Sequence, residues 1–287
     1  MTMQNGDIIF SLSKIIETAK KEYKILLCLT VTIFIVFTSL SIILPKKYES
    51  QVVIMPSADF DQPGVSGSVG TLASLVGVNL NSDGRLTQSI ATLNSKKFTL
   101  DFINNNDLLP VLFEKKWDHG TGKWKTELEK NEIPSQEDIY RFFDKKVRTV
   151  YEDQRAGTII IYINWKNAEL SASWANALVD QLNQHIKNRD IQEAQESIKY
   201  LKKEIKKNKT IEINQILYQL IEHRIQKKTI AKTKQDYAFQ VIDPAITLAE
   251  DEYIFPNHFV FGLIGLILGL GASLIQVILR QYFQHKT

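Results

Sequence analysis

The sequence predicts an α+β membrane protein in which two terminal transmembrane helices flank an external α/β base domain carrying a long helical hairpin. Three observations predict it. Two uncharged apolar runs lie near opposite ends of the 287-residue chain, at 25–44 and 259–279. The polar segment between them mixes β-branched runs with helical periodicity. Its longest helical stretch, about 168–234, breaks at Lys206–Thr210 and then resumes.

Each apolar run reaches the length of about 20 residues that a helix needs to cross the hydrocarbon core. Neither shows the polar face of a soluble helix. The first run is also too long for a signal peptide, and Leu44-Pro45-Lys46-Lys47 is no small-residue cleavage site. It reads as an uncleaved anchor.

Flanking charge sets the expected orientation. Lys14, Lys20, Lys21 and Lys24 precede the first run, and Arg280 and Lys286 follow the second. Residues 243–257 carry no Lys or Arg but hold Asp243, Glu250, Asp251 and Glu252. Both termini, 1–24 and 280–287, are therefore expected in the cytoplasm, with 45–258 outside. The ends hold 6 Lys+Arg against 3 Asp+Glu, and the external segment 29 of each. The net charge of +3 is thus a topology signal and gives no support to a nucleic-acid partner. Cys28, the only cysteine, lies in the first run, so the external domain has no disulfide. A domain above 200 residues can build its core without one, and the periplasm of a Gram-negative cell fits.

Along the external segment, Tyr48–Pro56 (YESQVVIMP) reads as a strand. Residues 61–85 turn to Gly and Ser, with a small apolar centre at Thr71–Val78 expected as a short helix, a packed loop or a linker. Residues 88–104 follow one helical pattern, and WDHGTGKWK reads as a loop holding two tryptophans. Ser135 with Glu137 and Asp138 is N-terminal helix chemistry. VRTVYEDQRAGTIIIYINW reads as two strands with a turn near Arg155–Gly157, and YAFQVID as a late strand.

In the long helical stretch, Ile191, Ala194, Ile198, Leu201 and Ile205 are spaced 3, 4, 3 and 4 apart, a seam of two heptads. The pattern breaks at KKNKT (Lys206–Thr210) and resumes with Ile213, Ile216/Leu217, Leu220 and Ile225. Two antiparallel arms turning near Asn208 are the first reading, and one unbroken helix is the alternative. From 187 to 234 there are 13 cationic and 6 anionic residues. Such a run is a solvated face, or one that meets an anionic glycan or a neighbouring subunit.

No catalytic, cofactor or metal set emerges. HGTGKWK lacks the first Gly and the Ser/Thr of a phosphate loop. The five histidines, His119, His185, His223, His258 and His285, show no ligand spacing, with His185 and His223 expected at the surface. No serine stands in a nucleophile elbow. Carboxylates are plentiful, but no spacing favours a catalytic pair. The residues from 280 onward are too few for a kinase domain.

Several segments in order resemble the polysaccharide co-polymerases, the Wzz-type chain-length determinants of O-antigen and related surface glycans. These are YESQVVIMP, TLASLVGVNL, LLPVLFEKKWDHGTGKW, WANALVDQLNQHIKNRDIQEAQESIKYL and YAFQVIDPA, then a proline before a glycine-rich second span. Where that family carries several prolines before the span, this chain has Pro244, following Asp243, and Pro256. The resemblance implies a homo-oligomeric ring in the inner membrane with a periplasmic bell. It implies partnership with a Wzy-type polymerase and a growing lipid-linked glycan, control of modal chain length, and no catalysis. A two-span sensor or adaptor, or a periplasmic glycan-active enzyme, are the alternatives.

The second span reads GLIGLILGLGASL from Gly262. Gly265, Gly269 and Ser273, spaced by four, share a face, and Gly262 extends it. In lipid, helices associate by close packing rather than by the hydrophobic effect. These residues are expected to admit another helix, the first span of the same or a neighbouring subunit.

Overall fold

The computed structural model describes residues 20–57, 82–129 and 131–284. The expected element at Thr71–Val78 lies outside the described residues, as do His285 and most of the N-terminal segment. The chain divides into two compact units, one containing residues up to Lys47 and from Asp251 onward, the other Tyr48–Glu250.

In the first unit, α1 (Tyr23–Ile43) pairs antiparallel with the helix that ends the chain, α8 (His258–Gln284). Both are long and apolar enough to cross a membrane. The segments leading out of the two helices also pair. Lys47 donates its N–H to the Phe255 carbonyl (2.9 Å), and Ile254 donates back to the Lys47 carbonyl (2.9 Å). The Lys46 ammonium sits 4.7 Å from the centre of the Tyr253 ring. These contacts group 45–47 and 251–257 with the helix pair.

The second unit is built on one antiparallel sheet in the order β4-β5-β1-β6. Its strands are β1 (Tyr48–Pro56), β4 (Arg148–Asp153), β5 (Thr158–Trp165) and β6 (Phe239–Asp243). Alternation sets the faces. Val52 and Ile54 of β1 and Ile159, Ile161 and Ile163 of β5 are buried, while Gln51 and Met55 point the other way and are exposed. The buried face packs on α6 (Ala168–Lys207), where Ala175, Leu178, Leu182 and Ile186 are sealed.

Helices α2 (Ser82–Leu93), α3 (Lys96–Asn105) and α5 (Gln136–Phe142), with the short α4 (Leu109–Leu112), complete the core through Leu93, Phe98, Phe102 and Ile139. The single pattern at 88–104 is in fact two helices. The Ser95 hydroxyl accepts from the Phe98 N–H (3.2 Å), and this cap starts the second helix. The tryptophan loop is a small hairpin, β2 (Trp117–Asp118) against β3 (Lys123–Trp124), closed by the two indoles at 5.0 Å. At Ser135 both halves of a capping box form with Asp138.

One π-helical turn (Phe143–Val147) leads into β4 and sets the buried Arg148 beneath the sheet edge. Its guanidinium donates to the Leu93 carbonyl (2.7 Å) and Thr99 Oγ1 (3.0 Å), and pairs with Asp144 (2.6 Å). Desolvation lowers its pKa, and the Asp144 carboxylate opposes that shift.

Helix α6 runs on past the sheet, and α7 (Ile211–Thr233) returns beside it. The stretch is therefore two helices joined across 208–210. The turn is held by Asn208 Nδ2 to the Glu204 carbonyl (3.2 Å) and Asn214 Nδ2 to the Asn208 carbonyl (3.2 Å).

Candidate functional site

In the helix pair the two backbones come close at the glycines of α8. A Cβ at 265 would lie 2.9 Å from Phe37 Cβ and 3.2 Å from Phe34 Cα. At 269 it would lie 3.0 Å from the Cα, the carbonyl oxygen and Cγ2 of Thr30. At 262 it would meet the edge of the Phe34 ring, at 3.3 Å. One turn beyond Gly269, the buried Ser273 hydroxyl lies 2.9 Å from that of Thr30, and both reach the Leu26 carbonyl. Gly262, Gly265, Gly269 and Ser273 thus stand along one line against α1 of the same chain. Gly271 lies off it, with open space around its Cα.

Polar contacts fasten both ends of this seam. At one end His258 bridges Ser41 (2.6 Å) and Tyr253 (2.7 Å) through its two ring nitrogens. At the other, Arg280 pairs with Glu22. Sequence reading missed both fastenings, because each joins residues more than two hundred positions apart.

The pre-membrane residues do not form one group. Asp243 ends β6 opposite Val53, and Pro244 follows it beside a shallow cleft with Glu49, Gln51 and Ile246. Pro256 belongs to the other unit.

On the arm, Ala194 is buried, and Ile191, Ile198, Leu201 and Ile205 are half-buried along the line facing α7. The return helix differs from the expected seam. Leu217, Leu220, Ile221 and Ala231 are its shielded apolar residues, while Ile213, Ile216 and Ile225 are 43%, 43% and 48% exposed. The 3-and-4 spacing that faces α6 runs through 217, 221, 224, 228 and 231, and so recruits Arg224 and Lys228 in place of Ile213, Ile216 and Ile225.

A polar column that the sequence reading did not single out ties the arm to the sheet. Asn176, Asn183 and Asp190 are spaced by seven on α6, so they repeat along one side. Asn176 exchanges two hydrogen bonds with the Ala245 backbone, at 2.8 and 3.0 Å. Asn183 accepts from the N–H groups of Ala238 and Phe239 and donates to the Phe239 carbonyl. The buried Asp190 carboxylate accepts from the Tyr237 hydroxyl (2.8 Å) and the Lys227 ammonium of α7 (3.0 Å). The signal was the heptad spacing of three amide or carboxylate side chains within an apolar helix face.

Among the described residues no cluster of three or more His, Cys, Asp or Glu side chains could hold a metal ion. His185 lies at the surface with its ring edge-on to Phe98 at 5.7 Å. Partial burial there lowers its pKa, Arg189 and Lys97 add to the shift, and Asp101 opposes it. The groove beside it is lined by Gln88, Thr92, Ser95 and Lys97.

Compared with known proteins, the chain matches no family model and no curated protein sequence. Among solved structures it is similar to a full-length bacterial polysaccharide co-polymerase, over 96% of this chain and 99% of that one, at 11% identity and a TM-score of 0.43.

Proposed function

We propose that this chain regulates the modal length of a surface polysaccharide, O-antigen or a related lipopolysaccharide glycan, made by a Wzy-type polymerase. In this reading it is a non-catalytic, homo-oligomeric scaffold in the inner membrane, with both termini cytoplasmic and residues 45–258 periplasmic. The observation that carries it is the closed seam of Gly265, Gly269 and Ser273. It clamps the helices from opposite ends of the chain, so the intervening unit is held at both its ends. From that unit a 40-residue helix and its return form a projecting arm. Such a part acts through shape and reach rather than through one reactive group. The ordered resemblance along the chain supports the same assignment.

The test is the glycan ladder. Deleting 195–198 and 220–223 removes matched segments from the two arms and shortens the hairpin by about 6 Å at 1.5 Å per residue. The protein should persist and total polymer should persist, while the modal length shifts. Complete deletion of the chain should abolish the modal distribution. A ladder unchanged by complete deletion overturns the assignment. A periplasmic enzyme would instead ignore hairpin length and lose all activity on one carboxylate or histidine change.

A further inference from the structure

The hairpin tip combines two features that a solvated helix end does not need. The first is charge. Between 199 and 213 stand six lysines, Lys199, Lys202, Lys203, Lys206, Lys207 and Lys209, all exposed, against Glu204 and Glu212. Lys199, Lys202, Lys203 and Lys206 fan along one flank of α6 beside the seam, and Lys207 is tied to Glu204 at 2.8 Å. The second is apolar exposure. Ile211, the first residue of α7, is 71% exposed, and Tyr200 and Tyr218 are 63% and 61% exposed. Each tyrosine lies seven residues from the turn, counted from Lys207 on α6 and from Ile211 on α7. Both rings therefore stand at one level, about 10 Å below the tip at 1.5 Å per residue.

We propose that the hairpin tip docks on an anionic phospholipid surface. Ile211 enters the acyl boundary, the two tyrosines lie at headgroup depth, and the lysines meet the phosphates. An interfacial segment reaches about 5–10 Å into that boundary, which matches the spacing from tip to tyrosines. Tyrosine favours the interface because one end of its ring is apolar and the other wet. Lysine clusters of this size attract acidic headgroups. A soluble anionic glycan would satisfy the lysines and can stack on the tyrosines, but it leaves Ile211 in water, so the exposed isoleucine at the tip beside the lysines selects the lipid. This inference stands apart from the chain-length reading.

The experiment uses the full chain in phosphatidylcholine nanodiscs, mixed with vesicles of phosphatidylcholine alone or with phosphatidylglycerol. Flotation should carry the protein with the phosphatidylglycerol vesicles only, and added salt should release it. Each lysine near an acidic surface contributes about fivefold in affinity. Lys202→Gln with Lys206→Gln should therefore weaken binding by about 25-fold. A polarity-sensitive dye on Ile211→Cys, in a Cys28→Ser background, should shift blue on docking. Variants are checked for an unchanged helical signal. No flotation at low salt overturns the proposal, as does equal flotation of the double-lysine variant. A dye shift produced by dextran sulfate, or by concentrating the protein without vesicles, would assign the tip to a soluble polyanion or a second copy and equally overturn it.

Discussion

The helix-pair seam makes a graded prediction, because four glycines on one helix face four different environments. Alanine adds one methyl group at each. At Gly269 that methyl would stand 3.0 Å from three atoms of Thr30, two of them backbone, and at Gly265 it would stand 2.9 Å from Phe37 Cβ. Ordinary carbon contacts lie at about 3.5–4.0 Å, so the helices must separate by about 0.5–1 Å. Overpacking of this kind costs about 1–3 kcal/mol. At Gly269 the separation also stretches the Ser273–Thr30 contact, which adds about 0.6 kcal/mol. At Gly262 the tightest contact is a movable Phe34 ring edge at 3.3 Å, with Thr38 Oγ1 at 4.0 Å, and at Gly271 there is none within 4 Å. The expected order of damage is Gly269→Ala at or above Gly265→Ala, then Gly262→Ala, then Gly271→Ala with no loss. The assay labels Cys28, the only cysteine, with bimane and places a quencher by Leu274→Trp. Quenching is followed while SDS is titrated into mild-detergent micelles. A Gly271→Ala variant as damaged as Gly269→Ala, or four indistinguishable midpoints, would refute the seam.

Four further outcomes are expected. Alkaline phosphatase fused within 120–123 should be active, and fused at Thr287 inactive; the reverse pattern would overturn the topology proposed from the flanking lysines. Arg148→Met should destabilise the Tyr48–Glu250 unit by about 3–5 kcal/mol, read by urea unfolding, because Asp144 and the Leu93 carbonyl lose a buried partner. Lys227→Met should leave the sheet intact but loosen α7, giving faster amide exchange at 221–233, since Asp190 then loses its ammonium partner on α7. His185 binds its proton less readily folded than unfolded, so stability is full above its free value of 6.5 and falls as pH drops through the lowered one. His185→Gln should flatten that acid slope in thermal melts, and an unchanged slope would exclude His185 as its source.

What the sequence made legible follows how local each signal is. The strand at Tyr48–Pro56 and the cap at Ser135 were readable because alternation and side-chain capping act over a few residues. The break at Asn94–Ser95 shows in the sequence only as a five-residue step from Leu93 to Phe98, off the 3-and-4 spacing, and as a serine placed to cap the second helix. On α7 the isoleucines at 213, 216 and 225 advertised a seam that the fold does not use. Hydrophobic spacing fixes which residues could face a partner, and the partner's length and the clamp at its base decide which do. That clamp is the Asn176–Asn183–Asp190 column. Its residues meet backbone and side chains some fifty to seventy positions away, and only their spacing of seven gave them away. By satisfying the backbone of Phe239 and Ala245 from one rigid helix, the column sets the rotation of α6 against the sheet. Lys227 then passes that rotation to α7 through Asp190. The exposure of Ile211 and Tyr218 at the tip therefore follows from polar contacts at the root, two to four turns away along α7. Lys227→Met should in consequence raise exchange at Ile211–Tyr218 no more than at the root itself, because the turn is tied independently by Asn208 and Asn214. Exchange that rose only at the tip would place the hinge in the turn and contradict this order of control.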